Sequence, residues 1–198
     1  MGIETAKTGK LLYHLTKLSN LESIVQQGML PRRVILKQGI TFGDVANRQI
    51  ICKRQELGLD IYTPFHFHPY SAFDVAVKHS YSDDMIYLCI DREVARRNKF
   101  KILPKHPLSQ HECILYDYDE GFSLIDWDTM METNRTDDYA KQVKMAECLT
   151  EKRIPIQAFM CMYVPSQNVK NKVIEILERN NVNFPLPYIN VMDVWFRE

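Results

Sequence analysis

The sequence predicts an α+β protein built on a largely antiparallel or mixed sheet. Three observations carry that reading. Short strand-like runs outnumber helical ones, the longer helices lie toward the two ends, and no internal repeat, low-complexity segment or clean linker divides the chain. With 198 residues, 45% of them hydrophobic, residues 1–198 suit a single domain with a full core.

The elements follow in order. Leu11–Leu15 reads as the first strand, interrupted at Thr16 by a polar link. Ser19-Asn20-Leu21-Glu22 has capping-box spacing, and Leu21, Ile24 and Val25 then share one helical face. Gly28 suits the left-handed residue that ends a helix. Residues 31–43 read as loop. Asp44–Leu57 reads as a helix packed through Val45, Ile50 and Ile51, with Gly58 as terminator. Ile61–His68 alternates as a strand, Phe65 and Phe67 on one face and His66 and His68 on the other, until Pro69 interrupts it. Met85–Ile90, after the polar Ser82-Asp83-Asp84, reads as a buried strand; Cys113–Tyr118 and Phe159–Val164 read as two more. Ser166–Asn180 is an amphipathic helix with Val169, Val173, Ile174 and Leu177 inward, and Tyr188–Phe196 closes the chain as a strand. Trp127 and Trp195 read as core or rim packing.

Composition excludes several classes. No apolar run approaches the ~20 residues of a membrane helix, and MGIETAKTGK lacks the apolar centre of a signal peptide. The expectation is a soluble cytoplasmic protein, with Gly2 a chance match to a myristoylation start. Cys52, Cys89, Cys113, Cys148 and Cys161 are odd in number and unpaired in spacing, so neither a disulfide framework nor a zinc ribbon is expected. Charge sums to zero but is segregated. Arg32, Arg33, Lys37, Arg48, Lys53 and Arg54 face only Asp44 within residues 31–55, and six more bases crowd residues 92–105. Residues 117–138 are acidic. This is either a basic groove for a polyanion or a set of faces that neutralise one another in the fold.

Motifs for common chemistries are missing. There is no GxGxxG, GxxxxGK[ST] or GxSxG, and no local spacing favours a nucleophilic set. His66 and His68 would form a metal pair only if His79, His111 or Cys52 supplied a third ligand; the plainer reading is two half-exposed histidines, and no metal is expected. Glu147 stands out in the apolar Met145-Ala146-Glu147-Cys148-Leu149, where a carboxylate needs a partner or a task. Asp138–Thr150 can equally be drawn as one helix, which would make Glu147 a surface residue.

Four segments in this order resemble the DarT-type DNA ADP-ribosyltransferase toxins. They are Tyr13-His14-Leu15-Thr16 with Asn20-Leu21-Glu22-Ser23-Ile24 and Gly28; Ile50-Ile51-Cys52-Lys53-Arg54; Thr63-Pro64-Phe65-His66-Phe67; and Met145-Ala146-Glu147-Cys148-Leu149. Asp126-Trp127 and Asp193-Val194-Trp195-Phe196 add to the likeness, which spans nearly the whole chain. The resemblance implies an ADP-ribosyltransferase-like split mixed β-sheet with flanking helices, NAD+ as co-substrate, and single-stranded DNA as acceptor. It also implies an ADP-ribosyl-removing antitoxin as partner. Glu147 and Arg54 match the catalytic pair, and His14, Thr16, Asn20, Leu21 and Phe65 fall where NAD+ is held. The stretch from about residue 118 to Glu147 corresponds to the loop presenting DNA. Arg48, Lys53, Lys141 and Lys144 are the expected DNA contacts, with Tyr116 or Tyr118 as base-stacking candidates. Acceptors of RNA or protein, or a non-catalytic nucleic-acid-binding module, remain alternatives. One departure matters. Thymine-modifying members often carry Pro-Arg-Ser-Pro-Met where this chain has Pro69-Tyr70-Ser71-Ala72-Phe73, which leaves the base, thymine or guanine, open.

That chemistry builds positive charge on a ribose as nicotinamide leaves. Glu147 is then expected beside the sugar, Arg54 at a phosphate, and His14 and Thr16 as neutral donors to ribose hydroxyls. Removing Glu147 is expected to leave the fold intact.

Overall fold

A computed structural model describes residues 2–80, 84–106, 113–182 and 188–196. Ser82, Asp83 and His111, named above, lie outside them.

β1 (Leu11–Lys17) runs through Thr16 rather than breaking there. α1 (Leu21–Gln27) starts after a 3-10 turn at Leu18–Asn20, but the capping box does not form. No side chain caps this helix, and Glu22 instead holds Arg179 at 2.6 Å. Gly28 ends it at φ +81°, where a Cβ would sit 2.9 Å from the Ile154 carbonyl oxygen. α2 (Arg32–Lys37) occupies a stretch that reads as loop. Six residues carry too little periodicity to betray a helix, and this one is held from outside by Arg32–Asp44 and Arg33–Asp60 ion pairs, both 2.7 Å. α3 (Arg48–Glu56) begins later than Asp44, because the Asn47 side chain caps it by accepting from the Ile50 amide. Ile50 and Ile51 are only half-buried.

β2 (Thr63–His66), α4 (Ala72–Ser80), β3 (Met85–Asp91), α5 (Arg92–Arg97) and β4 (Lys101–Leu103) follow. Of the expected strand at Cys113–Tyr118, only Tyr116 bridges, to Ile102; Tyr118 opens α6 (Tyr118–Leu124). α7 (Trp127–Met131) and α8 (Asp138–Lys144) make the pre-Glu147 region helical rather than a loop. β5 (Glu147–Thr150) then resolves the helix-or-strand ambiguity. β6 (Cys161–Val164) leads to α9 (Gln167–Arg179), capped by Ser166, whose inward row includes Ile176 where Ile174 was expected. β7 (Tyr188–Val191) is shorter than expected and turns into a 3-10 segment at Asp193–Trp195.

The strands form one mixed sheet in the order β4-β5-β2-β1-β3-β6-β7, antiparallel except for β6 with β7. β1 pairs with β3 along all seven residues, yet touches β2 only at Tyr13–His66. Beyond that contact the two strands diverge, and the sheet is split. One face carries the main core, where Leu12, Phe65, Phe67 and Leu88 meet α1, α7, α8 and α9. The other holds Tyr13, Leu15, Tyr87, Val77 and Trp195. Trp127 and Trp195 are both buried.

The charge blocks cancel in part within the fold. Arg96 meets Asp119 at 2.6 Å and Lys101 meets Asp117 at 2.6 Å, so two bases of the second basic block pair with the acidic one. Arg92 is buried and donates to the carbonyls of Ala6, Lys7, Leu11 and Phe67. Half of the bases in residues 92–105 are thereby engaged within the fold, which favours the neutralised-face reading for them.

Candidate active site

A cavity of about 200 Å³ opens at the split. β1 contributes His14, Leu15 and Thr16; β2 and β5 contribute His66 and Glu147; α3 and α4 contribute Arg54 and Asp74; and residues 42–46 close one side.

Glu147 stands opposite His66 across the β2–β5 ladder, so both point to one face. Its side chain is 6% exposed. Nη1 of Arg54, itself 14% exposed, donates to both carboxylate oxygens, at 2.8 and 3.0 Å. The partner that an isolated glutamate in an apolar run demanded is therefore Arg54. The expectation of Arg54 at a phosphate is corrected to that extent: its Nη1 serves the carboxylate, while its buried Nη2 has no partner. Thr63 Oγ1 and Asp74 Oδ2 are likewise buried and unpartnered, and both residues line the same cavity. Buried polar atoms in folded proteins are nearly always paired, so three orphans around one cavity mark a place for a polar ligand.

His14 donates from Nδ1 to the Pro64 carbonyl at 2.7 Å, bridging the split. A carbonyl only accepts, so Nδ1 carries the hydrogen. Burial pushes this imidazole down to about 4, overriding the opposing effect of the Pro64 bond. The ring is neutral and its Nε2 is an acceptor, which corrects the expectation of a donor. A depressed histidine binds fewer protons folded than unfolded, so stability falls as pH drops from 6.5 toward about 4. His14→Gln is expected to flatten that part of the stability–pH curve in denaturant titrations.

Thr16 and Asn20 face inward, but toward the protein. Asn20 Nδ2 donates to Thr16 Oγ1 and to the Gly43 carbonyl, both at 3.0 Å, and its Oδ1 accepts from the Gly43 amide at 2.7 Å. This pins the segment that closes the cavity. Asn20→Ala is expected to cost about 1–3 kcal/mol and to speed amide exchange across residues 42–46. Leu21 and Phe65 are fully buried core residues that support the cavity without lining it.

His66 and His68 are both buried rather than half-exposed. His68 Nδ1 accepts from the Tyr70 amide at 3.1 Å, and burial pushes its pKa down to about 3. Among the described residues, no group of three or more His, Cys, Asp or Glu side chains is arranged to hold a metal. Of the expected DNA contacts, Arg48 is exposed at the start of α3. Lys53 pairs with Glu56, Lys141 with Asp138, and Lys144 donates to the Arg135 carbonyl. Tyr118 is buried and stacked on Phe122, which removes it as a stacking platform, and Tyr116 is half-buried. Tyr70, where the resemblance expects arginine, packs at 6.2 Å from Trp195.

A split mixed sheet with an arginine-held glutamate at the mouth of the split is the architecture of an ADP-ribosyltransferase. The chain belongs to the DarT family: the family model described as "ssDNA thymidine ADP-ribosyltransferase, DarT" matches residues 13–197. It is an NAD+-dependent DNA ADP-ribosyltransferase. A DNA ADP-ribosyl transferase of Thermus aquaticus is 26% identical over 203 residues, covering 94% of this chain and 88% of its own length. The fold is similar to that of Thermus sp. 2.9 DarT in complex with ADP-ribosylated ssDNA, with a TM-score of 0.80 and 19% identity over 94% of this chain and 95% of that one. The same protein in complex with NAD+ gives 0.75 at 18% identity, covering 94% and 96%. Thermosipho africanus DarTG in complex with ADP-ribose gives 0.71 at 20% identity; this chain is 95% covered but spans only 51% of that one.

Proposed function

We propose that residues 1–198 act as one transferase domain, the toxin of a toxin–antitoxin pair, and move ADP-ribose from NAD+ onto a thymine of single-stranded DNA. The family's description supports thymine as the base. The observation that carries the reading is the buried Glu147 facing the cavity while Arg54 holds both its oxygens.

In this mechanism the bond from the ribose anomeric carbon to nicotinamide breaks, and nicotinamide leaves neutral with the bonding electrons. Glu147 lies beside the cationic carbon and stabilises it more than it stabilises ground-state NAD+. A ring nitrogen of the base attacks that carbon, and Glu147 takes the proton the nitrogen sheds. Arg54 keeps the carboxylate aimed, and its spare Nη2 donor faces substrate. The acceptor face of His14 takes a hydrogen bond from a ribose hydroxyl. Leu15 adds a backbone edge. Lys10 and Leu18 direct their carbonyl and amide toward the β3 side, so alternation turns those of Leu15 into the split, where a carboxamide pairs as a strand residue would. Arg48 is the surface contact for the DNA backbone.

NAD+ labelled in the adenylate half, incubated with homopolymeric oligonucleotides, tests this. Label on oligo-dT supports the proposal. Label on oligo-dG alone shifts the base to guanine, label on RNA or protein alone shifts the acceptor class, and binding without transfer leaves a nucleic-acid-binding module. The partner we propose is an ADP-ribosyl-removing antitoxin; the double length of the DarTG relative supports a second unit in such systems. Among the described residues no helix is long and apolar enough to cross a membrane, which suits an enzyme acting on DNA in the cytoplasm.

A further inference from the structure

Asp74 is out of place for the segment that bears it. It sits in Ala72-Phe73-Asp74-Val75-Ala76-Val77, is 1% exposed, and its Oδ2 has no hydrogen-bond partner although the residue lines the cavity. A buried oxygen left in that state costs stability unless a ligand supplies its donor. Its position in the fold is specific. The neighbouring Phe73 packs against the cluster that holds Leu15 and Tyr87, and Asp74 lies beside the Tyr87 hydroxyl. Tyr87 is the cross-strand partner of Leu15. Asp74 and Leu15 line the same cavity, and Asp74 lies close to His66, the cross-strand partner of Glu147. Ser71 and Tyr87 hydrogen-bond its carboxyl, His66 and Lys78 stand nearby, and Oδ2 is the oxygen left free. Desolvation raises its pKa, more than these neighbours lower it.

We infer that Asp74 is a specificity-determining residue that hydrogen-bonds the carboxamide of the nicotinamide leaving group. The inference rests on the reading of this cavity as the NAD+ site. A carboxamide offers an N–H donor and a C=O acceptor, and a carboxyl group with an unpartnered oxygen answers the donor in either protonation state. The Leu15 edge and Asp74 would then grip the same amide from two sides. A nucleobase would be held nearer Glu147, the group that must take its proton.

The test compares NAD+ with its 3-acetylpyridine analogue, which keeps the ring carbonyl but lacks the amide N–H donors, in wild type, Asp74→Asn and Asp74→Leu. The measurement is the ratio of kcat/KM for the two dinucleotides, with oligo-dT as acceptor. Wild type is expected to prefer NAD+, and D74L to lose about tenfold or more of that preference, as expected when a buried hydrogen bond to a substrate is removed. D74N retains an acceptor and should keep most of it. Equal ratios in all three proteins, or a change only in the preference between oligo-dT and oligo-dG, would overturn the assignment. So would a lower melting temperature with an unchanged ratio, which would mark Asp74 as structural. Absence of any transfer by wild type would count against the NAD+ reading itself, and is recognised because it precedes every ratio.

Discussion

Glutamine in place of Glu147 is expected to reduce ADP-ribose transfer by about 10²- to 10⁴-fold while the protein stays folded. Gln matches the shape of Glu, and its carbonyl still accepts from Arg54 Nη1, now held by a carboxylate at 2.8 Å. What it lacks is what the proposed mechanism asks of Glu147: a charge beside the anomeric carbon and the capacity to take a proton from the attacking base. Single-turnover transfer of labelled ADP-ribose to oligo-dT measures this, with circular dichroism and thermal melting as controls for folding. Retention of more than a tenth of the wild-type rate by a folded E147Q protein would contradict the role given to the carboxylate. Alanine is the poorer probe. The expectation that removing Glu147 leaves the fold untouched treated it as a lone carboxylate. The structure pairs it, so E147A strands a guanidinium only 14% exposed, and loss of activity would be mixed with loss of structure.

Legibility in the sequence varied with the physical origin of each feature. Long or strongly patterned elements were readable: β1, β3, α9 and the Phe65–Phe67 alternation each carry enough apolar residues to show a period. α2 and β4 were not, because six and three residues sample too little of any period. α2 in particular is held by Asp44 and Asp60, acids 12 and 27 residues from their partners, which no local window connects. The capping-box spacing at Ser19–Glu22 misled for the same reason: Glu22 is drawn to Arg179, 157 residues away. In the site, Glu147 was legible because a carboxylate in an apolar run is costly without a partner. Asp74 carries the same signal in Ala72–Val77 and was overlooked beside the histidines. Leu21 and Phe65 fall in segments that the family resemblance assigns to NAD+, yet both are fully buried, and strand alternation turns Phe65 into the core.

Arg54→Ala is expected to cost about 3–5 kcal/mol of stability, a large effect for one side chain. A surface pair would contribute a fraction of that, since water and salt screen it. Glu147 is buried and Arg54 only 14% exposed, so removing the cation leaves a desolvated carboxylate without its donor. The pair also joins segments 93 residues apart, tying α3, which follows the cavity-closing segment, to β5. A double-mutant cycle in urea separates these contributions. R54M and E147Q are each expected to destabilise, R54M more, and R54M/E147Q to recover much of the loss, because it leaves no buried charge unpaired. Additivity within about 0.5 kcal/mol would refute the coupling. If the coupling is found, the recovered double variant should still be inactive. A pair that a neutral, equally stable substitute could replace is then held in place by the chemistry it performs on the sugar, with Arg54 fixing the direction of the carboxylate that serves the anomeric carbon.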